Sequence, residues 1–323
     1  MDDRLKEECG IFGVYNHPEA SALVALGLHA LQHRGQEACG INSFDGKNFY
    51  LIKRRGLVGD NFTDPKIIEQ LKGHTAIGHN RYSTTGAPLI RNIQPFFADL
   101  HTGGVGIAHN GNLTNAISIR EKMVKDGAIF QTTSDTETLV QLIARSKRVK
   151  TIDKIIDAIF QVHGGYALTI MTNKKLVGVR DPYGIRPLIL GKLNDSYILS
   201  SETCALDIIG AEYVREIENG EMVVIDKNGI ESIKPFPKVK PRPCVFEYVY
   251  FSRPDSIVGG KAVHEYRKRL GEQLSKEMKV EADMVSAVPD SGIPAAIGYS
   301  NESGIPYDIC LLYTSPSPRD SAL

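Results

Sequence analysis

Residues 9–15 read Cys-Gly-Ile-Phe-Gly-Val-Tyr, and the position of this stretch decides how the rest of the chain is interpreted. Its loose apolar alternation predicts a β-strand. A cysteine at the start of a core strand is most often a small buried hydrophobic residue. Here, however, Cys9 directly follows a short polar leader, residues 1–8, that ends in two glutamates. Removal of this leader would give Cys9 a free α-amino group beside its thiol.

That combination would make Cys9 a self-contained nucleophile and base. An α-amino group has a pKa near 8 and a thiol a pKa of about 8.5, so proton transfer between them is uphill by only about 0.7 kcal/mol. One residue then supplies both groups, the N-terminal-nucleophile arrangement. While Glu8 is attached the nitrogen is an amide and cannot act as the base. The hypothesis therefore requires processing, with residues 1–8 as a propeptide.

The composition limits the class of protein. The chain has 323 residues, with 38 basic and 38 acidic side chains. This length suggests about two domains. Zero net charge argues against a nucleic-acid partner, whose binding surface is usually basic. No apolar run approaches the roughly 20 residues of a membrane helix, and the acidic leader is no signal peptide. We therefore expect no membrane association and a cytoplasmic location.

The number and spacing of the cysteines also agree with a cytoplasmic protein. Five cysteines are too few and too scattered for a disulfide framework; they are Cys9, Cys39, Cys204, Cys244 and Cys310.

The first 240 residues predict an α+β domain, because strands are followed by helices and then by strands again. Predicted helices cover residues 18–31, 114–125, a segment starting at Ser134, and 152–162. Predicted strands cover residues 9–15, 40–44, 48–53, 76–80, 104–109, 166–172, 176–179, 188–191, 197–200, 221–225 and 230–233.

A proline-rich linker at residues 234–243 separates this region from a second domain that begins near residue 241. There we expect a helix at 261–279, a buried strand at 284–288 and a helix at 291–300 with Pro294 in its first turn. This is the start of an α/β domain, and we expect it to be incomplete. The polar, proline-interrupted residues 312–323 are expected to be a non-native tail.

Two polar clusters could carry chemistry. Residues 31–36, Leu-Gln-His-Arg-Gly-Gln, are a polar helix end with Gly35 after the last turn, or else a turn that places Arg34 beside the nucleophile. Residues 78–86 follow a strand and end in a glycine-containing loop. Its Arg81 is a surface arginine or a bidentate carboxylate ligand.

Two more clusters lie further along the chain. Asn110-Gly111 predicts a tight turn at a strand end, or a pair of donors that could stabilise a negatively charged oxygen. Ser134 and Glu137 have the spacing of a helix capping box. That arrangement would leave Asp135 free to bind an ammonium group.

Together and in this order, these segments resemble the class II, N-terminal-nucleophile glutamine amidotransferases. Residues 180–188, Arg-Asp-Pro-Tyr-Gly-Ile-Arg-Pro-Leu, and 200–205, Ser-Ser-Glu-Thr-Cys-Ala, resemble the second half of the same domain. Residues 246–256, Phe-Glu-Tyr-Val-Tyr-Phe-Ser-Arg-Pro-Asp-Ser, narrow the resemblance to the amidophosphoribosyltransferase family. The resemblance runs from Cys9 to about residue 311 and implies a four-layer αββα sandwich.

The resemblance also implies roles for the clusters. Cys9 would attack the glutamine amide and form a γ-glutamyl thioester, with Asn110 and Gly111 as the oxyanion hole. Arg81 would bind the substrate carboxylate and Asp135 its ammonium group. The residues that would shape the pocket and its closing loop are Arg34, Tyr82 and Thr84. Residues 1–8 would be removed autocatalytically.

Family members pass the ammonia to an α/β type I phosphoribosyltransferase domain, where it displaces pyrophosphate from phosphoribosyl pyrophosphate. The product is 5-phosphoribosylamine, in the first step of purine (IMP) biosynthesis. On this side the resemblance points to Tyr248, Arg253, Asp255 and Ser256, where the two domains would meet, and to Asp290 and Ser291 in a strand-to-helix loop. The acidic phosphoribosyl-pyrophosphate loop would follow residue 323, so we expect a truncated chain that retains only the glutaminase half.

The expected cofactors and the expected oligomeric state rest on the resemblance alone. Mg²⁺ would bind with the phosphoribosyl substrate in the whole protein. Some members hold a 4Fe–4S cluster through four cysteines, and Cys244 stands where one ligand is expected. A homo-oligomer is also expected.

Two alternatives remain open. A related amidotransferase such as glucosamine-6-phosphate synthase would leave residues 246–256 unexplained. A non-catalytic, glutaminase-like regulatory module would be expected to have lost Cys9, Arg81, Asn110 or Asp135, and all four are present.

Overall fold

The computed structural model describes residues 9–82 and 89–309. The chain divides into two compact units, the first ending at Cys244 and the second starting at Val245. The division falls a few residues beyond the boundary expected near residue 241. Among the helices described, none is long and apolar enough to cross a membrane.

Two antiparallel sheets form the centre of the first unit. The first sheet has the strand order β11-β9-β10-β1-β4-β2-β3 and the second β13-β12-β8-β7-β6-β5. In chain order the strands are β1 (Gly10–Tyr15), β2 (Ala38–Phe44), β3 (Phe49–Arg55), β4 (Thr75–Arg81), β5 (Phe96–Leu100), β6 (Gly103–Leu113), β7 (Gly164–Thr172), β8 (Leu176–Arg180), β9 (Ile189–Leu193), β10 (Ser196–Ser200), β11 (Glu212–Glu216), β12 (Met222–Asp226) and β13 (Gly229–Ile233).

Helices cover the outer faces of both sheets. In chain order they are α1 (Ala20–Ala30), α2 (Val58–Asn61), α3 (Pro65–Ile68), α4 (Ala116–Lys125), α5 (Thr136–Arg145), α6 (Thr151–Ile159) and α7 (Cys204–Asp207). Short 3₁₀ turns occupy Gln32–Arg34 and Ile90–Asn92.

Three apolar cores separate the layers. One joins α1 to the first sheet, a second fills the space between the sheets, and a third joins the second sheet to α5 and α6. Because each strand alternates between two faces, both sheets are buried on both sides. The result is the four-layer αββα sandwich, and the predicted α+β class is confirmed.

The close packing of α1 determines where the chain goes next. A side chain added at Gly78 of β4 would approach Val24 of α1 to 2.5 Å, so only glycine allows this contact. The 3₁₀ turn Gln32–Arg34 follows α1 directly and therefore reaches the start of β1, next to Cys9.

The second unit contains two packed helices, α8 (Val263–Glu277) and α9 (Ile293–Ser303), the latter with proline in its first turn as predicted. A short hairpin, β14 (Ile257–Val258) and β15 (Lys261–Ala262), precedes α8, and a π-helical turn spans Glu247–Phe251. The predicted strand at 284–288 was wrong. Within the described residues only Val285 forms a bridge, with Tyr307, and Val288 is exposed, because no neighbouring strand pairs with this apolar run.

Candidate active site

A small pocket lies at one end of the sandwich. Residues from several separate segments line it; they are Cys9, His79, Arg81, Tyr82, Asn92, Gln94, His109, Gly111, Ser134 and Asp135. Its volume of about 30 Å³ is space for roughly one water molecule.

Cys9 stands at the start of β1, and its side chain is buried. Its Sγ lies 4.0 Å from the carbonyl oxygen of Tyr82. The strand β1 pairs with β4, with Gly10 opposite Asn80. This pairing brings Cys9 next to Arg81 at the end of β4, although 72 positions separate them in the sequence.

Arg34 lies directly behind Cys9. Its guanidinium Nε donates a hydrogen bond to the Cys9 carbonyl oxygen at 3.0 Å, and the side chain is fully buried. Gly35 has an extended backbone and does not end α1 as a left-handed residue. A side chain there would approach the Arg81 backbone to 2.6 Å, so this glycine permits the turn to lie against β4.

The Asn110-Gly111 pair lies inside strand β6, and the predicted strand end and tight turn were wrong. Both residues pair with β7, opposite Ala167 and Tyr166. Gly111 has a φ of 137°, and an added side chain would meet the Gly165 carbonyl oxygen at 2.1 Å. An Asn-Gly pair favours turns, but here the pairing with β7 keeps both residues in an extended strand.

Asn110 is fully buried, yet neither polar atom of its side chain hydrogen-bonds any residue that the structure describes. Buried amides almost always have partners, so each exception calls for an explanation. Asn110 is not among the residues that line the pocket, but its neighbour Gly111 is. A buried amide with unused donor capacity at this position is suited to a ligand oxygen.

Asp135 lines the pocket but is held by protein contacts. Its Oδ2 accepts a hydrogen bond from the backbone N–H of Leu113 at 2.9 Å, and its Oδ1 lies 3.8 Å from Nδ1 of His109. It stands at the N-cap of α5. The carboxylate is therefore oriented by the protein, and its binding of an ammonium group stays a prediction.

The predicted capping box between Ser134 and Glu137 was also wrong. Ser134 Oγ accepts instead from the N–H of Thr136. The Glu137 carboxylate accepts from the backbone N–H groups of Gln131 and Thr132, because these donors precede the helix and lie within its reach.

Arg81 and Tyr82 both line the pocket, and burial lowers the pKa of the Arg81 guanidinium. An arginine nevertheless remains charged in proteins, so it can bind a carboxylate. Thr84, the predicted propeptide at 1–8 and the predicted non-native tail at 312–323 lie outside the described residues.

The sequence did not single out four further pocket residues, which are His79, Asn92, Gln94 and His109. Gln94 Oε1 accepts from the N–H of His109 at 2.7 Å, which fixes the backbone next to Asn110. Burial lowers the pKa of His109, and it lowers that of His79 to about 3, so both rings are neutral near pH 7. His79 stood within the segment 78–86 and His109 directly precedes Asn110, whereas Asn92 and Gln94 carried no signal of their own.

In the second unit, four of the residues named for the phosphoribosyl side cluster around the π-helical turn. Tyr248 donates its hydroxyl hydrogen to the Val258 carbonyl, and Arg253 forms a two-point ion pair with Asp255. Ser256 is buried, and its N–H bonds the Arg253 carbonyl. Asp290 and Ser291 lie in the exposed turn before α9.

No group of three or more metal-binding side chains occurs among the residues for which coordinates are described. Cys244 is a free thiol whose N–H bonds the Ile185 carbonyl. The described residues thus provide no complete four-cysteine set for an iron–sulfur cluster.

Comparison with known proteins agrees with this geometry. Residues 79–207 match the family described as the glutamine amidotransferase domain. The structure also matches that of glutamine phosphoribosylpyrophosphate amidotransferase from Bacillus subtilis, with a TM-score of 0.90 and 42% identity over 98% of this chain and 70% of that one. The chain belongs to the amidophosphoribosyltransferase family.

Curated members of the amidophosphoribosyltransferase family are similar over nearly the whole chain. The Rhizobium etli protein is 56% identical over 95% of this chain and 63% of its own length. A chloroplastic enzyme from Arabidopsis thaliana is 49% identical over 95% of this chain and 54% of its own length. The chain thus spans less than two thirds of these relatives.

Proposed function

We propose that this chain hydrolyses glutamine at Cys9, and that in the whole protein the released ammonia displaces pyrophosphate from phosphoribosyl pyrophosphate to give 5-phosphoribosylamine. The observation that carries the proposal is the meeting of Cys9, Arg81, Gly111 and Asp135 in one pocket. Membership of the amidophosphoribosyltransferase family supports the acceptor.

The first half-reaction follows from these positions. After residues 1–8 leave, the α-amino group of Cys9 accepts the thiol proton and Sγ bonds to the side-chain amide carbon of glutamine. The carbonyl oxygen becomes an oxyanion, which the Asn110 amide and the Gly111 N–H stabilise. Ammonia leaves with the proton, and water then hydrolyses the thioester to glutamate.

Substrate orientation needs a positive and a negative charge close together, because the α-carboxylate and the α-ammonium group of glutamine share one carbon atom. Arg81 binds the α-carboxylate and Asp135 the α-ammonium group, so the amide reaches Cys9. Arg34, Tyr82 and Thr84 complete the surroundings of the nucleophile. These assignments favour an enzyme over a non-catalytic module, and the family favours a phosphoribosyl acceptor over a sugar phosphate.

The remaining expectations concern the whole protein. We place the phosphoribosyl side on Tyr248, Arg253, Asp255, Ser256, Asp290 and Ser291. Magnesium, a cluster with Cys244 as one ligand, a homo-oligomer and a cytoplasmic location stay predictions, as do the domain assignments on either side of residue 241.

Glutamate release from glutamine tests the hydrolytic half. The wild-type chain should release glutamate, and Cys9→Ala should not. Cys39→Ala is the matched control, because Cys39 is also buried and burial raises its thiol pKa to about 12. Equal hydrolysis by wild type and Cys9→Ala would refute the proposal.

A further inference from the structure

A fully buried ion pair lies behind the nucleophile. Arg34 Nη1 and Glu202 Oε1 are 2.6 Å apart, and neither side chain is exposed to solvent. The same Arg34 donates through Nε to the Cys9 carbonyl oxygen at 3.0 Å. A continuous chain of contacts therefore runs from the Glu202 carboxylate to the backbone of Cys9.

The charge on Glu202 is held by its neighbours. Burial alone would raise the pKa of this carboxyl, but the Arg34 guanidinium and the His33 ring, 2.7 Å from Oε1, hold it well below its usual range. The carboxylate is thus ionised at any pH at which the pocket would work. It also fixes the direction in which the planar guanidinium points.

Such a pair is poorly explained by stability alone. The desolvation of two buried charges can exceed their attraction, so apolar residues often stabilise a protein as well or better. Geometry is the better explanation here, because the Nε of the same guanidinium faces the residue that carries the nucleophile.

The residue preceding Glu202 holds the neighbouring backbone. Ser201 Oγ accepts a hydrogen bond from the N–H of Ile11 at 3.0 Å, and the N–H of Ser201 donates to the Ile11 carbonyl at 3.1 Å. Regular pairing of β1 with β10 starts one residue later, at Phe12 and Ser200. Ser201 therefore holds the β1 backbone on one side of Gly10, at Ile11. Glu202 holds it on the other side, at Cys9, through Arg34.

We propose that Glu202 is a positioning residue of the glutaminase, which acts through Arg34 to fix the backbone of Cys9 and so the position of its thiol and its α-amino group. This inference rests on the proposed glutamine hydrolysis. Glu202 touches neither substrate nor thiol in this scheme.

Glu202→Gln in the 323-residue chain tests the role. Glutamine hydrolysis should lose about tenfold or more in kcat with little change in KM, because misplacing a reacting group lowers the rate without removing substrate contacts. The matched control is Glu221→Gln. Glu221 is equally buried and pairs with Arg215 at 2.7 Å, within the same unit. It should lower the melting temperature but leave kcat unchanged.

Two further variants separate positioning from a general loss of structure. Arg34→Lys keeps the charge opposite Glu202 but removes the Nε donor, and its loss of kcat should not add to that of Glu202→Gln in the double variant. Additive losses, or a kcat of Glu202→Gln within about twofold of wild type, would overturn the role. If Glu202→Gln does not fold, Glu202→Asp replaces it in the same comparison. Aspartate keeps the negative charge, but its shorter side chain places the carboxylate further from Arg34.

The alkylation of Cys9 by iodoacetamide distinguishes failure of this inference from failure of the proposed function. If the wild type does not hydrolyse glutamine, the function is wrong, but alkylation still reports the surroundings of the thiol. In Glu202→Gln the pH midpoint of Cys9 alkylation should move to lower pH, because the loss of the negative charge of Glu202 favours the Cys9 thiolate. An unchanged midpoint would contradict the coupling of Glu202 to Cys9.

Discussion

The backbone N–H of Leu113 donates a hydrogen bond to the Asp135 carboxylate at 2.9 Å. Leu113 ends the strand that carries Asn110 and Gly111, and Asp135 precedes helix α5. This bond joins the proposed oxyanion hole to the proposed ammonium site. The distance between the two ends of a bound glutamine is therefore set by the protein before the substrate arrives.

Asp135→Asn separates the two roles of this side chain. The asparagine oxygen can still accept from Leu113, so the fold should be kept, but the negative charge is lost. We expect KM for glutamine to rise about 10- to 100-fold, the range for a hydrogen bond to a charged group, with kcat changing much less. Steady-state kinetics measure both. Asp153→Asn, at an exposed position of α6, should change neither, and an unchanged KM in Asp135→Asn would remove Asp135 from the ammonium site.

Arg81→Lys tests the carboxylate site. A lysine keeps the charge but cannot make a planar, two-point contact with a carboxylate. KM for glutamine should rise by about tenfold or more, since one of two charge-assisted hydrogen bonds is lost. The exposed Arg54 offers the control substitution Arg54→Lys. If both variants have the wild-type KM, the carboxylate binds elsewhere.

Asn110→Ala should separate activity from stability. Removing one oxyanion donor lowers kcat by about 100- to 1000-fold. The free energy of unfolding should not show a correspondingly large decrease, because the Asn110 side chain makes no hydrogen bond with any described residue. Glutaminase assays and urea denaturation measure the two effects. A large loss of stability with full activity would give Asn110 a structural role.

The stability of the first unit should depend on pH through His79. Burial lowers the pKa of this histidine to about 3, below the value of about 6.5 in an unfolded chain. The unfolded state thus binds the proton more readily, so stability is complete above pH 6.5 and is lost as the pH falls towards 3. At pH 5 the loss from this residue is about 2 kcal/mol relative to pH 7.

Urea denaturation of the wild type and of His79→Gln at both pH values measures this contribution. Glutamine cannot be protonated at either pH. The difference in unfolding free energy between pH 7 and pH 5 should therefore be smaller in the variant by about 2 kcal/mol, whatever its absolute stability. His101→Gln, at an exposed position, should leave the difference unchanged. An identical pH dependence in wild type and His79→Gln would show that the ring is protonated in the folded state.

The sequence predicted well those helices and strands of the first unit that have a clear apolar periodicity, because this periodicity reports directly on burial. Helix α1 and strand β7 illustrate this; residues 18–31 were predicted and Ala20–Ala30 found, and 166–172 were predicted and Gly164–Thr172 found. Two strands were missed, β5 and β11. Both lie at sheet edges and have exposed residues, so their pattern is weak.

Local patterns failed where distant residues decide the conformation. Asn110-Gly111 favours a turn, but pairing with β7 keeps it in a strand. The run at 284–288 has strand composition but lacks a paired neighbour within the described residues. The contact of Glu202 with Arg34 joins residues 168 positions apart, so no spacing rule could reveal it.

The central claim is that Cys9 becomes the first residue of the chain and attacks glutamine. A chloroketone analogue of glutamine reacts with the nucleophilic thiol, and mass spectrometry of the intact and digested protein shows both the new N-terminus and the labelled residue. We predict a chain that starts at Cys9 and carries one label, on Cys9. A chain that still starts at Met1 and carries the label, or a label on Cys39 or Cys204 in place of Cys9, would contradict the claim.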